Sequence, residues 1–201
     1  SGGESQTSVE KYADIVNKFV TAIKLDNVCI VGHSMGASIA LSAALNKYNW
    51  LKAIALIGGA SKMFVTDAIL EGLKENFEPT IENIVKYSWY KNTGAFFKQK
   101  GRQRMLEAGS KVVYDDFYAC SKFDVSDRLA EIDIPALVIA SDYDRMVPIK
   151  ISSEMADKLG RSTFVILKKC GHFQHIEQTS RVAKELGNYL STLTNRVGSM
   201  R

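Results

Sequence analysis

The sequence predicts an α/β fold: a parallel sheet covered by helices on both faces, with a helical segment inserted between two of its strands. Three observations predict it. Four short, mostly apolar runs begin at Val28, Leu51, Ala136 and Ser162. Apolar runs of that length are the signature of parallel strands buried on both faces. Stretches with apolar residues at three- and four-residue steps separate them, which is the helical period. Alternation of the two patterns implies a sheet with helices on each side. From Ser61 to about Asp127, by contrast, only helical patterns appear.

The elements follow in order. Residues Ser5 to Leu25 read as a helix, with Thr7 and Glu10 at capping-box spacing. Val9, Tyr12, Val16, Phe19, Val20 and Ile23 would form its apolar face. Asp26-Asn27 breaks the pattern, and Val28 to Val31 is the first strand. Ala37 to Asn46 is a helix of small residues that can lie close to the sheet, and Leu51 to Ile57 is the second strand, closed by Gly58-Gly59. The insertion carries helices over Phe64 to Asn76, Ile81 to Tyr90, Gly94 to Ala108 and Val112 to Ser121. Its aromatics, Phe77, Tyr87, Trp89, Tyr90, Phe96 and Phe97, suit either a substrate pocket or a small core of the insertion itself. Pro135 opens the third strand, Ala136 to Ala140. A helix over Ile149 to Leu159, a strand over Ser162 to Leu167 and a helix over Thr179 to Leu193 complete the chain. Val182, Leu186, Tyr189, Leu190 and Leu193 face inward on that last helix, and the tail from Thr194 frays.

Composition bounds the function. At 201 residues, 46% hydrophobic and 24% charged, the chain is a soluble globular domain with a real core. No run of 18 apolar residues is present and the first residues carry no apolar h-region, so neither a membrane span nor a signal peptide is expected. The formal charge of +4 gives no case for nucleic-acid or membrane binding. Cys29, Cys120 and Cys170 are widely spaced, without C-x-x-C, which argues against a metal site or a disulfide framework. Cys29 and Cys170 read as small buried residues, and a cytoplasmic location is the expectation. Lys98, Lys100, Arg102 and Arg104 read as a solvated helix face rather than an anion site.

The chemistry centres on Gly32-His33-Ser34-Met35-Gly36, an instance of G-x-S-x-G. A strand runs into it and a helix leaves it, the context that exposes a serine on a sharp, strained turn. Gly32 and Gly36 would let strand and helix approach closely. The N–H of Met35 points into the same space. A serine hydroxyl needs an adjacent base, and the base an orienting acid. Ligands in open parallel sheets bind beyond the carboxyl ends of the strands. There the third strand is followed by Asp142 and Asp144, and the fourth by His172 and His175. His33, inside the turn, should point away from the Ser34 hydroxyl.

The order Ser, Asp, His and the three segments G-H-S-M-G, D-Y-D-R-M-V-P and G-H-F-Q-H-I-E resemble the alpha/beta-hydrolase family over essentially the whole chain. The resemblance selects Asp144, four residues before Pro148, and His172, which follows a glycine and precedes a glutamate. Asp142 is then left to a turn hydrogen bond, and His175 to the surface rather than the site entrance. It implies a catalytic triad of Ser34, Asp144 and His172, with Met35 as an oxyanion donor and no metal or organic cofactor. It also implies an α/β-hydrolase core over residues 1–60 and 128–201 and a helical cap over 61–127. Phe123 to Leu129 resembles the cap-to-core junction of small esterases. Two departures stand out. Ser141 occupies a position where the family usually has glycine, and no H-G-type oxyanion motif precedes Ser34. Ser1 to Ser5 resembles the tail of the family's G-x-G-x-S segment, so the family's first strands are expected to be absent, leaving an apolar strand edge uncovered.

The activity this implies is hydrolysis of a small carboxylic ester or thioester through an acyl-enzyme, with a small-molecule acyl substrate as the partner. The alternatives are C–C bond hydrolysis or a lyase step by the same triad, or an inactive fragment or binding module. Oligomeric state is not legible.

Overall fold

A computed structural model describes residues 3–198, with no side-chain description beyond residue 193. Its sheet has four parallel strands in sequence order: β1 (Val28–His33), β2 (Leu51–Ile57), β3 (Ala136–Ser141) and β4 (Ser162–Leu167). The register sets Val31 beside Ala55, Ile57 beside Ile139 and Val138 beside Phe164, so all four carboxyl ends point the same way.

Burial follows position in the sheet. β3 is buried at every residue and β2 at all but Lys52. Alternate side chains of β2 serve opposite faces: Ile54 and Leu56 join one apolar cluster, Ala53, Ala55 and Ile57 the other. On the first face lie α1 (Val9–Ala22), α2 (Met35–Leu45) and α7 (Ile149–Lys158), packed through Ala13, Leu41 and Met155. On the second, after the short α8 (Gln174–Glu177), lies α9 (Thr179–Gly198), through Val182, Leu186, Tyr189 and Leu193. Leu190, expected on that inner side, is exposed, and the helix runs on to Gly198 rather than ending at Leu193. Residues 199–201 of the tail expected to fray lie outside the described residues.

Two expectations about the first elements are corrected. β1 is not buried on both faces; it is an edge strand among the described residues, and Val31 is 49% exposed. Only Val9, Ala13 and Val20 are buried on α1, while Phe19 and Ile23 stand exposed beside Ile15 and Leu25. An apolar stripe is covered only where another layer lies against it, and part of this one has none. The helix also starts later than expected. Ser8 is its cap, and its hydroxyl accepts the Lys11 N–H, so Thr7 and Glu10 form no capping box.

Four helices fill the span between β2 and β3: α3 (Asp67–Glu75), α4 (Phe77–Ser88), α5 (Ala95–Ala108) and α6 (Ser110–Lys122). α4 begins four residues earlier than its apolar pattern suggested, because Pro79 sits in the first turn, where its missing N–H costs nothing. Leu73, Ile81, Ile84, Val85, Trp89 and Val113 give this insert a core of its own. Its two ends meet: Lys62 bridges to Asp124 as an isolated strand pair, the Val125 N–H donates to Ser61 O at 2.8 Å, and the two side chains form an ion pair at 2.7 Å. No described helix is long and apolar enough to cross a membrane.

Candidate active site

Ser34 stands at the carboxyl end of β1, one residue before α2. Its φ of 53° lies in the left-handed region that non-glycine residues avoid. The turn is pinned by the Ser34 N–H, which donates to Ile57 O at 2.9 Å, and by Ser34 O, which accepts from Ala37 N–H at 2.9 Å. Gly32 explains the tightness: a Cβ there would lie 2.1 Å from the carbonyl oxygen of Gly36. Gly36 has no such role, since a Cβ there would meet nothing within 4 Å. The close approach expected of both glycines belongs to Gly32 alone. Met35 opens α2, so its N–H has no acceptor within the helix.

Asp144 and His172 lie together after β3 and β4. Their side chains are almost wholly buried, and His172 Nδ1 lies 2.8 Å from Asp144 Oδ2. The other carboxylate oxygen accepts the N–H groups of Met146 at 2.9 Å and Val147 at 2.8 Å. Those bonds fix the carboxylate plane. Ser34 and His172 line the same cavity. Among the described residues no hydrogen bond joins Ser34 Oγ to the imidazole; such bonds are commonly long in unliganded enzymes and tighten in the complex. Asp142 accepts the Cys170 N–H at 3.4 Å, a loop contact away from the imidazole.

The histidine loop is held from three sides. The His172 N–H donates to Ser88 O at 2.7 Å, which ties it to the end of α4. Glu177 Oε2 accepts from Gly171 N–H, Tyr90 N–H and the Thr93 hydroxyl at 3.2, 3.0 and 2.7 Å. A Cβ on Gly171 would meet the Tyr90 nitrogen at 2.4 Å. His33 donates through Nε2 to the His172 carbonyl at 2.7 Å. Its ring lies 4.7 Å from that of His172 and 4.6 Å from that of His175. Burial first, and then the neighbouring His172, push the His33 pKa down to about 3, so it is neutral. His175 is not the surface residue expected. It is half-buried against His33, its Nδ1 has no partner, and burial lowers its pKa as well.

A cavity of about 300 Å³ covers Ser34. Its walls include Phe64, Phe117 and Phe173 and four methionines: Met35, Met63, Met105 and Met146. None of the six aromatics singled out in the insertion reaches it. Trp89 is buried and stacks on Phe173 at 4.3 Å, whereas Tyr87, Phe96 and Phe97 are exposed. The cavity's ionisable groups besides the histidines and Cys120 are Asp116 and Lys62. Burial raises the Asp116 pKa, and one of its oxygens accepts the Tyr12 hydroxyl at 2.5 Å. Cys120 is buried in the wall, with its thiol pushed up to about 12, chiefly by burial. Cys170 is buried as expected, whereas Cys29 is only half-buried. The basic residues of α5 take no part in the cavity: Arg102 pairs with Glu82, and Arg104 with Glu107 at 2.8 Å. No group of three or more His, Cys, Asp or Glu side chains among the described residues could hold a metal ion.

Gln174, Ser141 and Glu177 hold the acid and histidine loops. The sequence marks Ser141 only as a departure from glycine and Glu177 only by its place after His172, and gives Gln174 no role.

The chain as a whole is similar to known proteins. The profile of the alpha/beta hydrolase family matches residues 2–185. A 2-hydroxy-6-oxononadienedioate/2-hydroxy-6-oxononatrienedioate hydrolase of Dechloromonas aromatica is 26% identical over 95% of this chain and 70% of its own length. A putative esterase/lipase of Mycoplasma genitalium is 28% identical, over 85% of this chain and 66% of its own. An esterase from Exiguobacterium antarcticum superposes with a TM-score of 0.86 at 20% identity, covering 93% of this chain and 75% of that structure.

Proposed function

Since the chain belongs to the alpha/beta hydrolase family, we propose that it is a serine hydrolase that cleaves a small carboxylic ester or thioester. The single observation that carries this reading is the buried Asp144–His172 pair opening onto the cavity that holds Ser34. His172 Nε2 takes the Ser34 proton as Oγ attacks the acyl carbon. The N–H of Met35 donates to the oxyanion that forms. The proton then passes to the leaving alcohol or thiol, which departs and leaves an acyl-enzyme. A water, deprotonated by the same nitrogen, releases the acid and restores Ser34. Asp144 holds the Nδ1–H tautomer and offsets the imidazolium charge in both steps. The helices between β2 and β3 act as the cap, and no metal or organic cofactor enters these steps.

The runner-up is C–C bond hydrolysis by the same triad. Its support is the likeness to the dioate hydrolase, whose substrate by its name carries two carboxylates. The cavity here is a poor host for such an anion. Lys62 is already paired with Asp124, and the remaining charged wall group is a carboxylate, Asp116. The apolar wall instead suits a neutral acyl group. A panel of p-nitrophenyl esters decides: turnover of short- to medium-chain esters, lost in Ser34→Ala, is expected. No ester turnover by a chain that hydrolyses a dienedioate would reverse the choice.

A further inference from the structure

Gln174, two residues after His172, is wholly buried yet lies outside the cavity wall. Its Nε2 donates to Asp144 Oδ2 at 3.1 Å and to Ser141 Oγ at 3.2 Å. The Ser141 hydroxyl in turn donates to the Gly171 carbonyl at 2.6 Å, the residue before His172. Gln174 Oε1 is buried with no partner. That orphan fixes the amide's orientation: turned over, the carbonyl oxygen would face the carboxylate and repel it. Room for the amide comes from Gly58, where φ is 55° and a Cβ would sit 2.9 Å from Oε1 and 3.0 Å from Nε2. A buried unpaired oxygen is normally avoided, so its presence calls for a compensating role.

Resting on the serine-hydrolase reading above, we infer that Gln174 and Ser141 are positioning residues that set the strength and direction of the Asp144–His172 bond. Asp144 Oδ2 serves two donors, His172 Nδ1–H and Gln174 Nε2–H. Sharing makes that oxygen less basic toward the imidazole and prevents the carboxylate from rotating. Through Ser141 the same amide holds the backbone beside His172, so the acid loop and the histidine loop move as one body. The hydroxyl at 141, where the family usually has glycine, is the link that makes this possible.

Gln174→Met removes both amide N–H groups at nearly constant volume, and Ser141→Ala cuts the link to Gly171. Two readouts separate positioning from mere packing. One is the pH dependence of kcat/KM with p-nitrophenyl butyrate. The other is the far-downfield proton resonance of the His172 Nδ1–H, observed without substrate. The titratable groups around the imidazole and its loop are Asp144, His33, His175, Cys170 and Glu177. Burial keeps His33 neutral there, with its pKa pushed down to about 3, and lowers the His175 pKa as well.

Gln174→Met is expected to move the acid limb to higher pH by about half a unit and the resonance further downfield, because Oδ2 is returned wholly to the imidazole. Ser141→Ala is expected to lower kcat about tenfold at unchanged KM and to broaden the resonance, with the acid limb in place. An acid limb and resonance coinciding with wild type in Gln174→Met would overturn the inference. If that variant does not fold, a wild-type resonance and kcat in Ser141→Ala overturn it. A wild-type chain that shows the resonance but hydrolyses no ester contradicts the hydrolase reading alone.

Discussion

Ser34 holds a backbone conformation, φ 53° and ψ −118°, that costs an L residue on the order of 1–3 kcal/mol. The turn keeps it because both its backbone N–H and its carbonyl are bonded, to β2 and α2. Asp144 is held as firmly, with four donors on two oxygens. Asp144→Asn keeps the shape but turns an N–H toward the imidazole or selects the wrong tautomer. A fall in kcat of about 10⁴-fold with little change in fold is expected, measured by ester turnover and circular dichroism. His33 supplies a pH signature of folding. Its folded pKa of about 3 lies below its ordinary 6.5, so between those values the unfolded chain binds a proton that the folded chain excludes. Its contribution is complete above pH 6.5 and is lost as pH falls toward 3, at about 1.4 kcal/mol per pH unit. Urea melts from pH 4.5 to 7.5 should show this slope, reduced in His33→Gln. Ser34, Asp144 and His172 were legible because each sits in a local segment at a strand end. Gln174 and Ser141 were not, because their partners lie 30 or more residues away and no spacing rule reports such a contact.

At the scale of elements, the strand–turn–helix around Ser34 depends on one glycine. Gly32→Ala would drive a methyl into the Gly36 carbonyl 2.1 Å away, and backbone cannot yield there cheaply. Loss of about 3 kcal/mol or more is expected, or no folded protein at all. Gly36→Ala meets open space and lies within α2, so unchanged or slightly raised stability is expected in the same thermal melts. β2 and β4 were legible to the residue, since apolar runs with polar or glycine borders have sharp ends. Helix starts were not: Ser8 and Pro79 set the starts of α1 and α4, and each departs from where the apolar pattern begins. The insert's aromatics were ambiguous for a different reason. Trp89 serves a core and Phe117 a cavity wall, and both are aromatic residues on or beside helices of similar sequence texture.

For the whole molecule, two apolar clusters flank one sheet, and a third lies within the insert. The cavity forms where the insert meets the carboxyl ends of the strands, the position expected for ligands in open parallel sheets. Phe117→Trp narrows that cavity from α6. It is expected to reduce turnover of octanoate esters more than of acetate esters, as a ratio of kcat/KM. The opposite flank is less well covered. Among the described residues β1 offers an unpaired edge with Val31 half exposed, and Phe19, Ile23 and Leu25 are exposed on and just after α1. Such edges favour aggregation, and a charge on them opposes it. Val31→Lys is therefore expected to raise the concentration at which the 201-residue chain stays monodisperse in light scattering. Strand order was legible only as an alternation of elements. Which strand lies at the edge depends on pairing, which burial-type composition does not report: Val28 to Val31 reads as apolar as β3 does.

Everything proposed for the site turns on Ser34 being the nucleophile of a charge-stabilised triad. Fluorophosphonate labelling of the folded chain, followed by mass spectrometry of the labelled peptide, tests it most directly. A single adduct on Ser34 is expected, abolished in Ser34→Ala and strongly slowed in His172→Ala and Asp144→Asn. Absence of labelling in the folded wild-type chain, or labelling that persists in Ser34→Ala, would contradict it.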